Sequence, residues 1–235
     1  MLELHQFPPA FGLPNASPFC MKVEAFLRMN DIDYKVVNLS DPRKAPKGKC
    51  PFIMDADKTV ADSSEIIRYL IDSRKLEDGL TADQHAHGHL LQRTLEENLY
   101  WCLLQERWMD DDNWAVMKKV VFAGMPGAAA AVVSRMVRAK TKRDLIGHGM
   151  GRHEKDEINF RAGEDIAALA QCLGEKPFLF GDRPSRFDAC ALAFVSGAVR
   201  VPLRSSIGEL VGQHPRLLDY TDRLMNQYFA DFPAN

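Results

Sequence analysis

No stretch of the 235-residue sequence reaches the roughly 18 consecutive apolar residues that a membrane-spanning helix needs. An excess of one charge is missing too. The formal net charge is -2, which removes the general electrostatic case for nucleic acid or an anionic membrane as partner. Cysteine is sparse and scattered, at positions 20, 50, 102, 172 and 190. No two cysteines stand at C-x-x-C spacing, which argues against a zinc knuckle or ribbon. An odd, dispersed set also suits a reducing cytosol better than a disulfide framework. The opening MLELHQFPPA has no basic segment leading into an apolar run, so no secretory signal is expected. The closing ADFPAN is polar and offers no anchor. Internal repeats and low-complexity segments are absent. A cytoplasmic protein with no nucleic-acid and no membrane partner is expected.

What is present is ordinary in bulk, with 46% hydrophobic and 26% charged residues, and is enough for one large or two small globular domains. The pattern changes along the chain. The first 75 or so residues alternate strand-like and helical stretches. LELHQF reads as a strand, and SPFCMKVEAFLRMN as a helix with Phe19, Val23, Phe26 and Leu27 on one face. YKVVNL reads as a second strand and DPRKAPKGKC as a loop. PFIMDAD and TVAD form a tight hairpin turning at Asp57-Lys58, and DSSEIIRYLIDSR is a helix. Ser17 is placed to cap the first helix, with Pro18 at its first position. Asp62 is placed to cap the second, with Glu65 completing a capping box.

Beyond about residue 78 nearly everything is helical. Leu91, Leu95 and Leu99 share a face of one long helix, and GMPG and GHGMG mark breaks around a helix with a basic side. Ile158, Ala162, Ile166, Leu169 and Leu173 recur at helical spacing in the next. SRFDACALAFVSGAV is almost wholly apolar and belongs at the centre of the helical half. HPRLLDYTDRLMNQYF closes the chain. The expected domains are 1–76, α/β, and 82–235, all-α.

Three short segments carry chemistry. In SPFC, Ser17 stands where a Cys would make C-P-F-C, a redox motif at a helix start. In KCPFI, a Pro at the mouth of a strand removes a ladder donor. It is useful there if Cys50–Pro51 is cis, the one kind of bond in which cis is cheap, so that the Cys50 backbone turns out of the sheet toward an extended peptide. In ADSSEII, Asp62 and Ser63 open a helix whose N–H groups favour an anion. The hydroxyl and those amides suit a carboxylate and Asp62 an ammonium, the pair found on an amino acid's α-carbon. A plain capping box accounts for the same residues. Cys20, one turn from Ser17, is either a resolving thiol or a small core residue, and packing is the commoner use.

Other features carry less. His85 and His89, with His87 between them, have metal-ligand spacing, but no carboxylate or thiolate partner is evident, and no metal is expected. Arg135, Arg138, Lys140, Lys142 and Arg143 read as a solvated face, with an anion site as the alternative. Arg152 and His153 follow a flexible turn and either start a helix or line a cleft.

Taken together, the hydroxyl at the first helix start, the Pro before the third strand, the D-S before the last helix of the α/β half and the all-α half resemble the glutathione S-transferase superfamily. The stretches SPFCMKVEAFL, KGKCPFI and ADSSEIIRYL stand in family order. GDRPSRFDACALA matches the family's central-helix capping box, with Ser185 and Asp188 as the box. GHGMGRHEKDEI, with the N-terminal segments, looks most like the metaxin and failed-axon-connections branch. The resemblance implies a thioredoxin-like N-terminal domain, an all-helical C-terminal domain and a glutathione site. In that site Ser17 would be the catalytic hydroxyl donating to the glutathione sulfur. Cys50, before the cis Pro51, would pair with the cysteinyl backbone, and Asp62 and Ser63 would hold the γ-glutamyl end. Lys49 and Lys47 are electrostatic candidates for the glycyl carboxylate. Glutathione would be a co-substrate, with no bound cofactor, and the partner an electrophilic small molecule. A homodimer is common in the superfamily. A non-catalytic interaction protein and a thiol reductase acting through Cys20 are the alternatives.

Overall fold

The computed structural model describes residues 1–232; residues 233–235, which end the ADFPAN tail and the expected helical domain, lie outside the described residues. The chain opens with β1 (Leu2–Gln6), α1 (Pro18–Met29) and β2 (Tyr34–Asn38). It continues through β3 (Phe52–Asp55), β4 (Lys58–Ala61) and α2 (Ser63–Arg74). The sheet order is β2-β1-β3-β4, with β1 parallel to β2 and antiparallel to β3. Alternation along β1 puts Leu2 and Leu4 in the core, where Leu4 stands beside Ile53 of β3. Ile66 and Leu70 of α2 and Met21, Val23 and Leu27 of α1 complete that core. This is a thioredoxin-like α/β unit, and all-helical structure follows it.

The helical half begins with α3 (Ala82–Thr94), a π-helical turn at Leu95–Leu99 and α4 (Tyr100–Met109), which run on without a break in helical backbone. An α-helix rotates about 40° for every four residues beyond a full turn. The wider π turn offsets that drift and keeps Leu91, Leu95 and Leu99 all buried. Then come α5 (Asp111–Val121), α6 (Gly127–His148), α7 (Lys155–Leu173) and α8 (Arg186–Val199). α9 (Ser206–Gly212) and α10 (Pro215–Tyr228) end the described fold. The five expected α7 positions are buried, and every residue of α8 from Phe187 to Ala198 is buried.

Local details depart from the sequence expectation. The hairpin turns at Ala56-Asp57, one residue early, because Asp55 pairs with Lys58 and Ala56 takes φ 55°. α5 and α9 have no counterpart in the expected elements. Each is short and is started by a polar cap: Asp110 accepts from the Asn113 N–H, and Ser205 from the Gly208 N–H. The expected stripe on α1 understates its burial, since Pro18 and every residue from Cys20 to Leu27 are buried, Lys22 and Glu24 included. α1 packs most heavily on α8 and also against α2 and α10.

Candidate functional site

The loop joining β1 to α1 is shaped by Asn15. Its side chain donates to the Phe7 carbonyl at 2.6 Å and accepts from the Ser17 N–H at 3.0 Å. This Asx-type turn presents Ser17 at the head of α1 in extended conformation, φ -85° and ψ 118°. Ser17 occupies the cap position, yet its hydroxyl makes no cap bond, which corrects the expectation that it caps α1. Pro18, with no N–H, leaves the first turn with one donor fewer to satisfy.

The hydroxyl lies beside Cys20. Burial pushes the Cys20 thiol up to about 12, against a weaker opposing pull from the Ser17 hydroxyl. Cys20 is fully buried, with Ala45, Cys50 and Phe52 around it. The same small cluster therefore brings the Ser17 end of α1 to the Cys50–Pro51 bond, which is cis. Cys50 is buried as well, and burial raises its thiol to about 11. From Pro51 the path runs on to Asp62, whose N–H donates to the Pro51 carbonyl at 3.4 Å.

Asp62 has φ 91° and ψ 131°, a backbone region that side chains other than glycine rarely enter. Such an outlier costs on the order of 1–3 kcal/mol and persists only where neighbours enforce it. Its carboxylate accepts from the Ser64 N–H at 3.0 Å, so it does cap α2. The reciprocal half of the expected box is missing, because Glu65 turns to Arg68. Ser63 is buried beside it. Ser17, Cys50, Pro51, Asp62 and Ser63 thus follow one another along a single edge of the α/β half. Lys47 and Lys49 are exposed on the loop before Cys50.

Two supports of this edge come from residues that the sequence patterns do not single out. Ser64 accepts from Lys22 Nζ at 3.3 Å and from Gln92 Nε2 at 3.2 Å. Lys22 in turn pairs with Glu96 at 2.5 Å, both buried. The α2 start is thereby tied to α1 and to the π turn of the helical half. The second support is Arg107 of α4. Its buried guanidinium donates to the Ala16 carbonyl at 3.1 Å and to the Gly197 carbonyl at 2.6 Å. It clamps the residue before Ser17 against α8. Asn15 could have been found from the turn propensity of PNAS. Lys22 and Arg107 carry no sequence signal, since contacts between residues far apart in the chain have no fixed spacing.

The weaker candidates fall elsewhere. His85 lies 3.3 Å from Asp78 and edge-on to Phe187, while His87 faces Asp83. Among the described residues no three His, Cys, Asp or Glu side chains gather as a metal set. Arg152 donates to the Ile146 carbonyl and His153 lies 3.4 Å from Glu157, so both finish helix ends. Among the described residues no helix is long and apolar enough to cross a membrane.

Two family profiles match the chain, one described as glutathione S-transferase N-terminal domain over residues 18–113, the other as glutathione S-transferase, C-terminal domain over residues 162–224. The isoprene-epoxide–glutathione S-transferase of Rhodococcus sp. (strain AD45) is 33% identical, over 97% of this chain and 99% of its own length. Failed axon connections of Drosophila melanogaster is 30% identical over 99% of this chain, which spans 59% of that protein. The relatives therefore extend beyond the single branch that the resemblance favoured. Among solved structures, the beta-etherase LigF from Sphingobium sp. strain SYK-6 superposes with a TM-score of 0.68 at 20% identity, covering 98% of this chain and 99% of LigF.

Proposed function

The chain belongs to the glutathione S-transferase superfamily, and from that premise we propose that it binds glutathione along the Ser17–Pro51–Ser63 edge and adds the thiolate to an electrophilic small molecule. The observation that carries this reading is Ser17, a helix-start hydroxyl left without a cap bond at the end of the edge. A free thiol of pKa about 8.5 is only a few per cent ionised at neutral pH. A hydroxyl donating to sulfur beside a helix N-terminus favours the anion. Ser17 would act as that donor and not as a nucleophile. The Cys50 backbone, beside Pro51, would pair with the cysteinyl part of the tripeptide. Asp62 and Ser63 would hold the γ-glutamyl ammonium and carboxylate, with Lys49 or Lys47 for the glycyl carboxylate. Holding the thiolate beside its target supplies much of the rate by proximity. The epoxide of the Rhodococcus relative's name is a reasonable first electrophile to assay.

The reductase alternative draws no support from Cys20, whose buried, largely neutral thiol is a poor nucleophile. Calorimetry with glutathione tests the proposal. Asp62→Ala/Ser63→Ala should weaken binding at least about tenfold, a loss of 1.4 kcal/mol, in a protein that still melts cooperatively. Unchanged affinity in the folded double variant defeats the site assignment. No turnover with any epoxide or aryl halide, despite glutathione binding, favours the non-catalytic interaction protein.

A further inference from the structure

The near-zero net charge, which speaks against a membrane partner for the chain as a whole, is the sum of unlike regions. Between Asp112 and Asp144 there is no acidic residue, while Lys118, Lys119, Arg135, Arg138, Lys140, Lys142 and Arg143 are all basic. These cations bracket a stretch from Val120 to Ser134 that carries no charge. The stretch comprises the end of α5, the turn after it and the start of α6.

The fold pushes this stretch outward. α6 runs back along α4, with His148 stacked on Trp101 near one end of α4. At the other end the Arg138 guanidinium donates to the Trp108 and Met109 carbonyls at 2.8 and 3.0 Å. The residues of α6 before Arg138 therefore extend past the end of α4, by about 16 Å at the usual helical rise. Every residue from Ala123 to Ala129 is exposed. Val120, Val121 and Met125 are exposed too, as are Val132 and Met136 at 58% and 66%. Single exposed apolar side chains need no explanation, but this many on one tip form a patch.

The order of chemistry along α6 selects the partner. Ala129, Val132 and Met136 share one face, and Lys140 and Arg143 continue it one and two turns further from the tip. On the other arm Lys118 and Lys119 directly precede Val120. Apolar side chains thus occupy the outer end, with a collar of cations behind them on both arms. Arg138 pairs with Asp111 and Lys140 with Asp144. Lys118, Lys119, Arg135, Lys142 and Arg143 are exposed and, among the described residues, form no ion pair. An anionic bilayer offers the complementary order, hydrocarbon beneath a plane of negative phosphates.

We propose that the α5–α6 tip is a docking element for the surface of an anionic bilayer. Its valines and methionines enter the boundary between headgroups and acyl chains, and the collar meets the lipid phosphates. Entry is shallow. α6 starts at Pro126 without a side-chain cap, so its first N–H groups need acceptors that headgroups offer and hydrocarbon does not. The inference does not rest on glutathione chemistry.

The test is flotation of the full chain with vesicles of phosphatidylcholine, alone or with about 30 mol% phosphatidylserine. The chain should float with the anionic vesicles, and bind the neutral ones at least about tenfold more weakly. Val132→Asp/Met136→Asp should abolish flotation. Arg135→Glu/Arg143→Glu should weaken it at least about tenfold, while Arg135→Lys/Arg143→Lys retains it. Phe160→Asp, at an equally exposed apolar residue of α7 that stands beside Leu210 of α9, should leave it intact. All five side chains are exposed, so circular dichroism and the melting temperature should match the native chain. Absence of flotation with anionic vesicles overturns the proposal. So does undiminished flotation of the folded Val132→Asp/Met136→Asp variant, or an equal loss in Phe160→Asp. Light scattering that shows a dimer dissolved by Val132→Asp/Met136→Asp, with no vesicle binding, overturns it in favour of a second copy of the chain.

Discussion

Two serines stand at helix starts in the two halves of this molecule, and the protein uses them in opposite ways. Ser185, at the start of α8, is fully engaged. Its hydroxyl accepts from the Phe187 N–H and donates to Asp188 at 2.7 Å, and its own N–H donates to the same carboxylate at 2.8 Å. Asp188 also accepts from the Leu179 N–H and from the Tyr220 hydroxyl, so one buried carboxylate fastens α8 to two other segments. Ser17, at the start of α1, holds the equivalent position and leaves its hydroxyl unused by the cap. Capping by Ser typically stabilises by about 1 kcal/mol. A helix start that forgoes this contribution, on an edge with a cis proline and a strained Asp62, leaves its hydroxyl engaged only with the neutral Cys20 thiol, which under the proposed function would yield to a ligand. Under the proposed function, the difference separates a residue that serves folding from one that would serve chemistry.

The largest effect is expected on the folding side. Asp188→Ala strips partners from the buried Ser185, Leu179 and Tyr220 donors, and should cost roughly 3–5 kcal/mol in denaturant unfolding. Burial, and next the neighbouring Asp188 carboxylate, hold the Tyr220 phenol well above its ordinary value. Loss of the carboxylate should therefore lower that titration, which ultraviolet absorbance reports. A loss under about 1 kcal/mol would put the two serines in the same class.

Ser17→Ala should do the reverse. Stability should change by less than about 0.5 kcal/mol, as at a site without a cap bond. The thiol pKa of bound glutathione should rise, and turnover at neutral pH should fall on the order of 10- to 100-fold. Thiolate absorbance against pH, with glutathione saturating, measures the shift without the natural electrophile. A stability loss of about 1–2 kcal/mol with an unmoved thiol would mean that Ser17 is only a cap.

The smallest effect sharpens the contrast from the sulfur side. Cys20 and Cys50 are buried next to the candidate site, with thiols held at about 12 and about 11. Iodoacetamide at pH 8 should modify the exposed Cys172 and leave these two untouched. Because both folded pKa values are raised, their contribution to stability is complete at and below the ordinary value of 9.0 and is lost as pH climbs toward 11 and 12. Cys20→Ala should make that alkaline decline shallower. Rapid labelling of Cys20 in the native protein would revive the reductase reading.

Much of this architecture was legible because it follows local rules. The β-α-β order, the leucine stripe of α3 and the π turn, the five buried positions of α7 and the Ser185–Asp188 box all depend on periodicity or on contacts within a few residues. α9, with seven residues, has too few turns to show a period. The candidate site was legible in part. Ser17, Pro51, Asp62 and Ser63 sit in recognisable local settings. The role proposed for Ser17 rests on a cap bond it does not make, which no local pattern records. Lys22 and Arg107 were out of reach, because each finds its partners more than 40 positions away in the chain.

The burial of α1 has a consequence for how the molecule comes apart. One side of this helix completes the α/β core and the other is covered by α8, while the ammonium of Lys22 meets its counter-charge on the π turn of the helical half. Residues 1–76 released from the rest would expose an apolar flank and leave the Lys22 ammonium without its partner. The seam between the two halves in sequence is thus a continuous interior in space. Heating should melt both in a single transition, and neither half can be borrowed as a module without the other.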